Sequence, residues 1–241
     1  ATDERFYIFG SGAAETYHMR WFEQNLPSDG SVRVSALTSD LTGLSIAGPK
    51  ARALLAKLTD ADVSNAAMPF MSFREMDLGI VPAKVGRVSF TGDLGYEIWV
   101  RNDYLTTLHS MIVAAGEEFG LAHFGTRALL SLRLEKNWGT WAREYRPIYG
   151  PLEAGLDRFV SFKKNAFIGR DAALAEKESG GALRLVTFTV ETKDADVIGD
   201  EPIWHGRKVV GWVTSGGYAH HAQKSVAMGY VPKALAGEED G

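Results

Sequence analysis

The 241-residue sequence contains no cysteine. That excludes disulfides, thiolate nucleophiles, Cys-ligated zinc and iron–sulfur clusters, and it fits a reducing, cytoplasmic setting. Basic residues form no block or stripe. The 26 Lys and Arg are interspersed with 30 Asp and Glu, for a net charge of -4, so the counterion release that drives nucleic-acid binding is missing. No apolar run approaches the length of a bilayer span, and no signal-peptide pattern opens the chain. Neither a nucleic-acid nor a membrane partner is therefore expected. His18, His109, His123 and His205 are isolated, and the adjacent His220 and His221 would point apart in a strand, so no metal site is expected. Val213-Thr-Ser-Gly-Gly lacks the leading glycine of a serine-hydrolase elbow. Gly10-Ser-Gly12 runs on to Glu15 where a dinucleotide loop needs glycine.

What is present is an ordinary globular composition, 45% hydrophobic and 23% charged, long enough for one large domain or two small ones. Six Trp, twelve Phe and eight Tyr can fill cores or line a pocket for a flat ligand. The chain opens on a strand-like run, Ala1 to Gly10, and a helix follows over Ala13–Asn25. Tyr17, Met19, Trp21, Phe22 and Leu26 suggest that this helix is buried on more than one side. Ser31–Thr38 and Leu44–Gly48 alternate as half-buried strands do. Gly48-Pro49 opens a helix, since proline loses no helical bond at a first turn. Asp103 is a candidate N-cap for a helix through Leu105, Leu108, Ile112 and Ala115. Further helices are expected over Thr126–Lys136 and Ala172–Glu178, with a short strand and turn over Phe159–Asp171. Ser179-Gly-Gly reads as a linker, and strands over 183–191, 208–215 and 225–231 follow it. The acidic tail from Gly237 is expected to be mobile. The sum is α+β, a sheet domain bearing helices followed by a small β domain.

Two stretches could carry chemistry. Arg87 to Val100 reads as strand, glycine turn, strand, with Gly92 and Gly95 free to take positive φ. In its second strand Tyr96, Ile98 and Val100 face one way, and Glu97 and Trp99 the other. A carboxylate beside a large ring can grip a planar N–H-bearing heterocycle through its two oxygens; equally, Glu97 fits an ordinary solvent-facing strand residue. In Thr126 to Trp141 charges and apolar residues interleave at helical spacing. Arg133, Glu135 and Lys136 could form an ion network at a helix end, with Arg127 on the surface and Trp138 and Trp141 in the core.

Taken in order, Leu44-Ser-Ile-Ala-Gly-Pro-Lys-Ala, Phe90-Thr-Gly-Asp-Leu-Gly-Tyr-Glu, Ser131-Leu-Arg-Leu-Glu-Lys, Pro151-Leu-Glu-Ala-Gly-Leu, Phe167-Ile-Gly-Arg and Val213-Thr-Ser-Gly resemble the glycine-cleavage T-protein (aminomethyltransferase) family over nearly the whole chain. Tyr17-His-Met-Arg-Trp-Phe-Glu, and Leu-Glu-Lys in place of the T-protein's Leu-Glu-Ala, resemble the dimethylglycine and sarcosine dehydrogenase branch. The resemblance implies an aminomethyltransferase fold, an antiparallel sheet with helices around a folate channel, then a small C-terminal β-barrel-like domain. It divides the chain into a remnant over 1–30, a folate-binding domain over 31–178 and an incomplete β domain over 179–241.

The resemblance also implies tetrahydrofolate as cofactor. Glu97 stands where the family's glutamate holds the pterin ring, Phe90 where the family commonly has Tyr, and Trp138 at another aromatic position near the folate. The T-protein arginine near the folate falls on Leu129 here, and Arg127 lies two residues earlier. The family's catalytic Asp lies just before the equivalent of Ala1, and Asp3 does not match its motif. The family pattern also runs beyond Gly-Tyr-Val-Pro, so a piece truncated at both ends is expected. FAD would belong to a separate flavin domain or subunit that oxidises a methylated amine, the one-carbon unit then passing to folate bound here. Rival readings are a folate-dependent O- or S-demethylase and a non-catalytic folate-binding paralogue acting through a partner. The iron–sulfur-assembly relatives carry a Lys-Gly-Cys motif, and this chain has no cysteine.

Overall fold

The structure is a computed structural model and describes residues 4–237. Asp3 and the tail residues beyond Gly237, expected to be mobile, lie outside the described residues. The chain divides into two compact units, one of residues 1–89 and 93–122, the other of residues 90–92 and 123–241.

The first unit is a two-layer α+β structure. Its four antiparallel strands are β1 (Leu41–Ala47), β2 (Phe73–Leu78), β3 (Val81–Gly86) and β4 (Gly95–Arg101), in the order β1-β4-β3-β2. Alternation decides the faces. Ile46 of β1, Leu78 of β2, Val81, Ala83 and Val85 of β3, and Tyr96, Ile98 and Val100 of β4 are buried in one core. Helices α2 (Ala51–Ala56) and α3 (Leu105–Gly116) cover that face with Ala51, Leu54, Leu55, Leu108 and Ile112. Gly48, at φ +119, makes the turn from β1 into α2; a side chain would strain this backbone. Pro82 sits inside β3, but the β3–β4 pairing covers only Lys84–Gly86, so its missing N–H breaks no ladder bond to β4.

Several expectations are corrected here. Ser31–Thr38 forms no strand, and its residues are mostly exposed; without a partner strand, alternation alone does not hold an extended segment in a sheet. The hairpin expected over Arg87–Val100 is half formed. Residues 87–94 are loop, and β4 pairs with β1 and β3 instead. Helix α1 (Glu15–Gln24) forms, but none of its residues is buried, contrary to the expected two-sided burial. Asp103 does not cap α3. It lies in a 3₁₀ turn over Asn102–Tyr104 and pairs with Arg101 at 2.7 Å.

The second unit holds α4 (Thr126–Glu135), α5 (Arg170–Ser179) and a second antiparallel sheet, β5 (Leu183–Val190), β6 (Pro202–His205), β7 (Lys208–Ala219) and β8 (Lys224–Pro232), in the order β5-β8-β7-β6. Phe159–Asp171 forms no strand; a 3₁₀ turn over Asp157–Phe159 ends on its first residue, and α5 begins at Arg170. Gly180 ends α5 in the left-handed conformation, its N–H donating to Glu176 O at 2.8 Å, as a helix C-cap requires. Leu134 of α4 packs on Ala219, Val226 and Met228, with Leu185 alongside. Every residue of β8 from Ser225 to Val231 is buried, so this central strand is covered on both faces. Among the described residues no helix is long and apolar enough to cross a membrane.

Candidate functional site

The face of the first sheet opposite α2 and α3 carries Glu97 and Trp99. Glu97 lies in register with Ser45 of β1 and Gly86 of β3, and Trp99 with Gly43 and Lys84. Phe73 is the β2 partner of Gly86, on the same row as Glu97. Tyr7 and Phe9, before α1 and in no helix or strand, lie against this face. Phe9 stacks on Trp99, ring centroids 3.9 Å apart and planes 26° apart. Phe9 and Tyr7 also meet Phe73 at 5.5 and 5.8 Å. Lys84 stands 5.1 Å from the Tyr7 ring centroid and pairs with Glu75 at 2.8 Å. Among the described residues no hydrogen bond or ion pair to the Glu97 carboxylate is found, and burial pushes that carboxyl above its ordinary pKa. Both oxygens of a half-buried carboxylate without donors keep their acceptor capacity unused.

The other sequence-predicted residues fall in the second unit. Phe90 is half-buried in the turn before Thr91, which is buried. Gly92, at φ +77, lies against Lys136, where a Cβ would stand 2.5 Å from Lys136 Cγ. Arg127 is exposed on the first turn of α4, about 200° of helical rotation from Leu129. Trp138 is half-buried with its ring edge-on to Tyr145 at 5.7 Å and to Phe159 at 6.4 Å.

Trp138 is held by a buried charge network in which Arg133 meets an acid, Glu144, that the sequence pattern does not name. Its carbonyl accepts from Arg133 Nη1 at 3.0 Å, and its N–H donates to Arg133 O at 2.9 Å. Arg133 pairs with Glu144 at 3.3 Å, and Arg133 Nη2 donates to Ser215 Oγ at 2.7 Å. Ser215 Oγ donates in turn to Glu144 Oε1, and Thr140 N–H to Glu144 Oε2 at 2.7 Å. Burial alone would raise the Glu144 pKa; the Ser215 and Thr140 hydrogen bonds and the Arg133 charge outweigh it and hold the carboxyl below its ordinary value. The ion network considered for the end of α4 therefore forms with a different acid. Glu135 accepts from the N–H groups of His221 and Ala222 at 3.3 and 2.6 Å, tying α4 to the β7–β8 turn. Glu144 lies 11 residues from Arg133 in an irregular loop, and no periodic pattern marks such a partner. Among the described residues no cluster of three His, Asp or Glu could hold a metal ion.

The comparisons with known proteins agree with this architecture. The family described as GCVT N-terminal domain matches residues 1–164, and the glycine cleavage T-protein C-terminal barrel domain matches residues 184–240. The chain belongs to the glycine-cleavage T-protein (GCVT) family. It is 42% identical to mitochondrial dimethylglycine dehydrogenase of Mus musculus, over 97% of this chain and 27% of that protein. It is 32% identical to an aminomethyltransferase of Thermoanaerobacter sp., over 98% of this chain and 63% of that one. The crystal structure of glycine cleavage system aminomethyltransferase T from Bartonella henselae aligns with a TM-score of 0.70 at 27% identity, covering 81% of this chain and 52% of that one. The chain spans 27% of the length of the dimethylglycine dehydrogenase it matches. The fold class expected from the sequence, α+β of the aminomethyltransferase type with a C-terminal barrel domain, is the one found.

Proposed function

We propose that this chain is the tetrahydrofolate-binding, aminomethyltransferase-like part of a dimethylglycine- or sarcosine-dehydrogenase-type protein, where a one-carbon unit from an N-methyl amine passes to tetrahydrofolate. The observation that carries the reading is Glu97, a half-buried carboxylate with no donor among the described residues, in the family's strand motif and beside an aromatic face. That environment fits the group. The N–H edge of a pterin offers Glu97 the donors the protein withholds, and in apolar surroundings such charge-assisted bonds are stronger than in water.

Bound tetrahydrofolate supplies the nitrogen that accepts the one-carbon unit. The chain's own contribution is to bind and orient the ring, which lowers the barrier by positioning. Glu97 accepts from the pterin edge in its ionised form. Phe90, Trp138 and Arg127 are further proposed folate contacts, on the motif match alone. None of the described carboxylates is assigned the family's catalytic aspartate role. Oxidation of the amine belongs to a separate flavin domain or subunit.

Calorimetric titration of the purified chain with tetrahydrofolate, beside Glu97→Ala, tests the reading. The variant should lose about 1–3 kcal/mol of binding, roughly a 5- to 150-fold weaker Kd. Equal affinity in the two proteins would overturn the assignment.

A further inference from the structure

We infer that Trp99 is the stacking floor of the Glu97 site, and that Phe9 is its built-in cover, which the planar N–H-bearing heterocycle held by Glu97 displaces. The inference rests on the reading of Glu97 given above and adds two residues to it.

The indole of Trp99 lies across its own sheet. A Cβ on Gly43 of β1 would stand 3.2 Å from its Cδ1 and Nε1, and a Cβ on Gly86 of β3 would stand 3.0 Å from Cζ3 and 3.2 Å from Cη2. The two ends of the ring system thus rest over glycines on the strands either side of β4. A ring laid down in this way turns a π face away from the sheet, the surface on which a flat heterocycle stacks.

That face is taken by Phe9. Phe9 belongs to a strap in no helix or strand, which meets the sheet through ring contacts to Trp99 and Phe73 and through Lys84 over the Tyr7 ring. The cover is open to solvent: Phe9 is itself 46% exposed, and Phe6 and Ile8, which alternate with Tyr7 and Phe9, are 73% and 67% exposed. Glu97 sits two residues along the same face of the strand, about 7 Å away. Phe9 fills the stacking position but offers the carboxylate nothing, because a phenyl ring has no polar hydrogen. A bicyclic heterocycle with N–H groups on one edge can do both, stacking on Trp99 and donating to Glu97. Its advantage over Phe9 is those hydrogen bonds, and this selects a pterin-like edge over a plain aromatic ring.

The test is tetrahydrofolate calorimetry on four forms of the full chain: wild type, Phe9→Ala, Trp99→Leu and Glu97→Ala, with Trp99→Phe as a conservative partner and circular dichroism melting to confirm folding. Phe9→Ala removes a half-exposed ring and should tighten binding about two- to tenfold, the worth of one ring–ring stack. Trp99→Leu should weaken it by about tenfold or more, and Trp99→Phe should restore most of the loss. Weaker binding by Phe9→Ala, or unchanged binding by a folded Trp99→Leu, would overturn the inference. If Glu97→Ala loses affinity while those two variants do not respond, the inference falls and the folate reading stands. If wild type and Phe9→Ala both fail to bind, both fall together.

Discussion

Replacing Glu97 by Gln should stabilise the chain at neutral pH while weakening ligand binding. The carboxylate is half-buried with no donor among the described residues, so its ionised form loses hydration without recompense, and burial raises its pKa in the folded state. The sign follows from linkage. The folded form holds its proton more tightly than the unfolded one, so the group favours folding at low pH. That contribution is lost as pH rises from the unfolded carboxylate value through the raised folded value. Glutamine keeps the shape and removes the charge. At pH 8 the variant should be more stable by about 1 kcal/mol, the scale of a partly desolvated polar group without partners. For a chain of this size that is roughly 3 °C in Tm. Near pH 4 the difference should shrink toward zero, because the wild-type group is then largely protonated. Differential scanning calorimetry across pH 4–8 reads this directly. Equal Tm values throughout, or a variant less stable at pH 8, would show that the carboxylate is solvated or has a partner. In the presence of tetrahydrofolate the order should invert, with the ligand raising the wild-type Tm more than that of the variant.

Glu144→Ala leaves Arg133 buried without its counter-ion and should cost about 3–5 kcal/mol, measured by urea unfolding. Because its pKa is lowered in the folded state, the stability Glu144 provides is present above the unfolded carboxylate value and is lost as pH falls through the folded one, so wild type and variant should converge in acid. Gly211→Ala should prevent assembly of the second sheet, since its Cβ would lie 1.9 Å from Tyr230 O, a backbone atom with no room to give; loss of cooperative unfolding would show it. Arg143→Ala should change stability by less than about 1 kcal/mol, although Arg143 meets both oxygens of Asp200, because that pair is exposed to solvent.

Much of this fold was legible in the sequence where periodicity and burial coincide. β4 alternates cleanly, and its buried row of Tyr96, Ile98 and Val100 is the one the pattern names. α4, α5, β5, β7 and β8 were readable for the same reason. β2 and β3 were not read from the sequence, and neither was β6, which has four residues, opens on Pro202 and contains a register shift after Ile203. Ser31–Thr38 has the right pattern and no partner, which no local rule reveals. The candidate site divides along the same line. That Glu97 and Trp99 share a face follows from alternation within one strand. That Gly43, Gly86 and Phe73 lie under and beside them depends on strand order and register, and Phe9 on how a strand-like run settles when it is not in a sheet.

The division of the chain also bears on how it can be made and cut. Residues 90–92 belong with the second unit while the residues on either side belong with the first, so the polypeptide passes from one unit to the other at three places. During synthesis the first unit is complete once residue 122 has emerged, but its loop at 90–92 must wait for partners translated later. A version of the second unit begun at residue 123 would lack buried Thr91 and the glycine that lies against Lys136. A single cleavage at the 122–123 junction would leave the halves sharing an element that only one of them encodes.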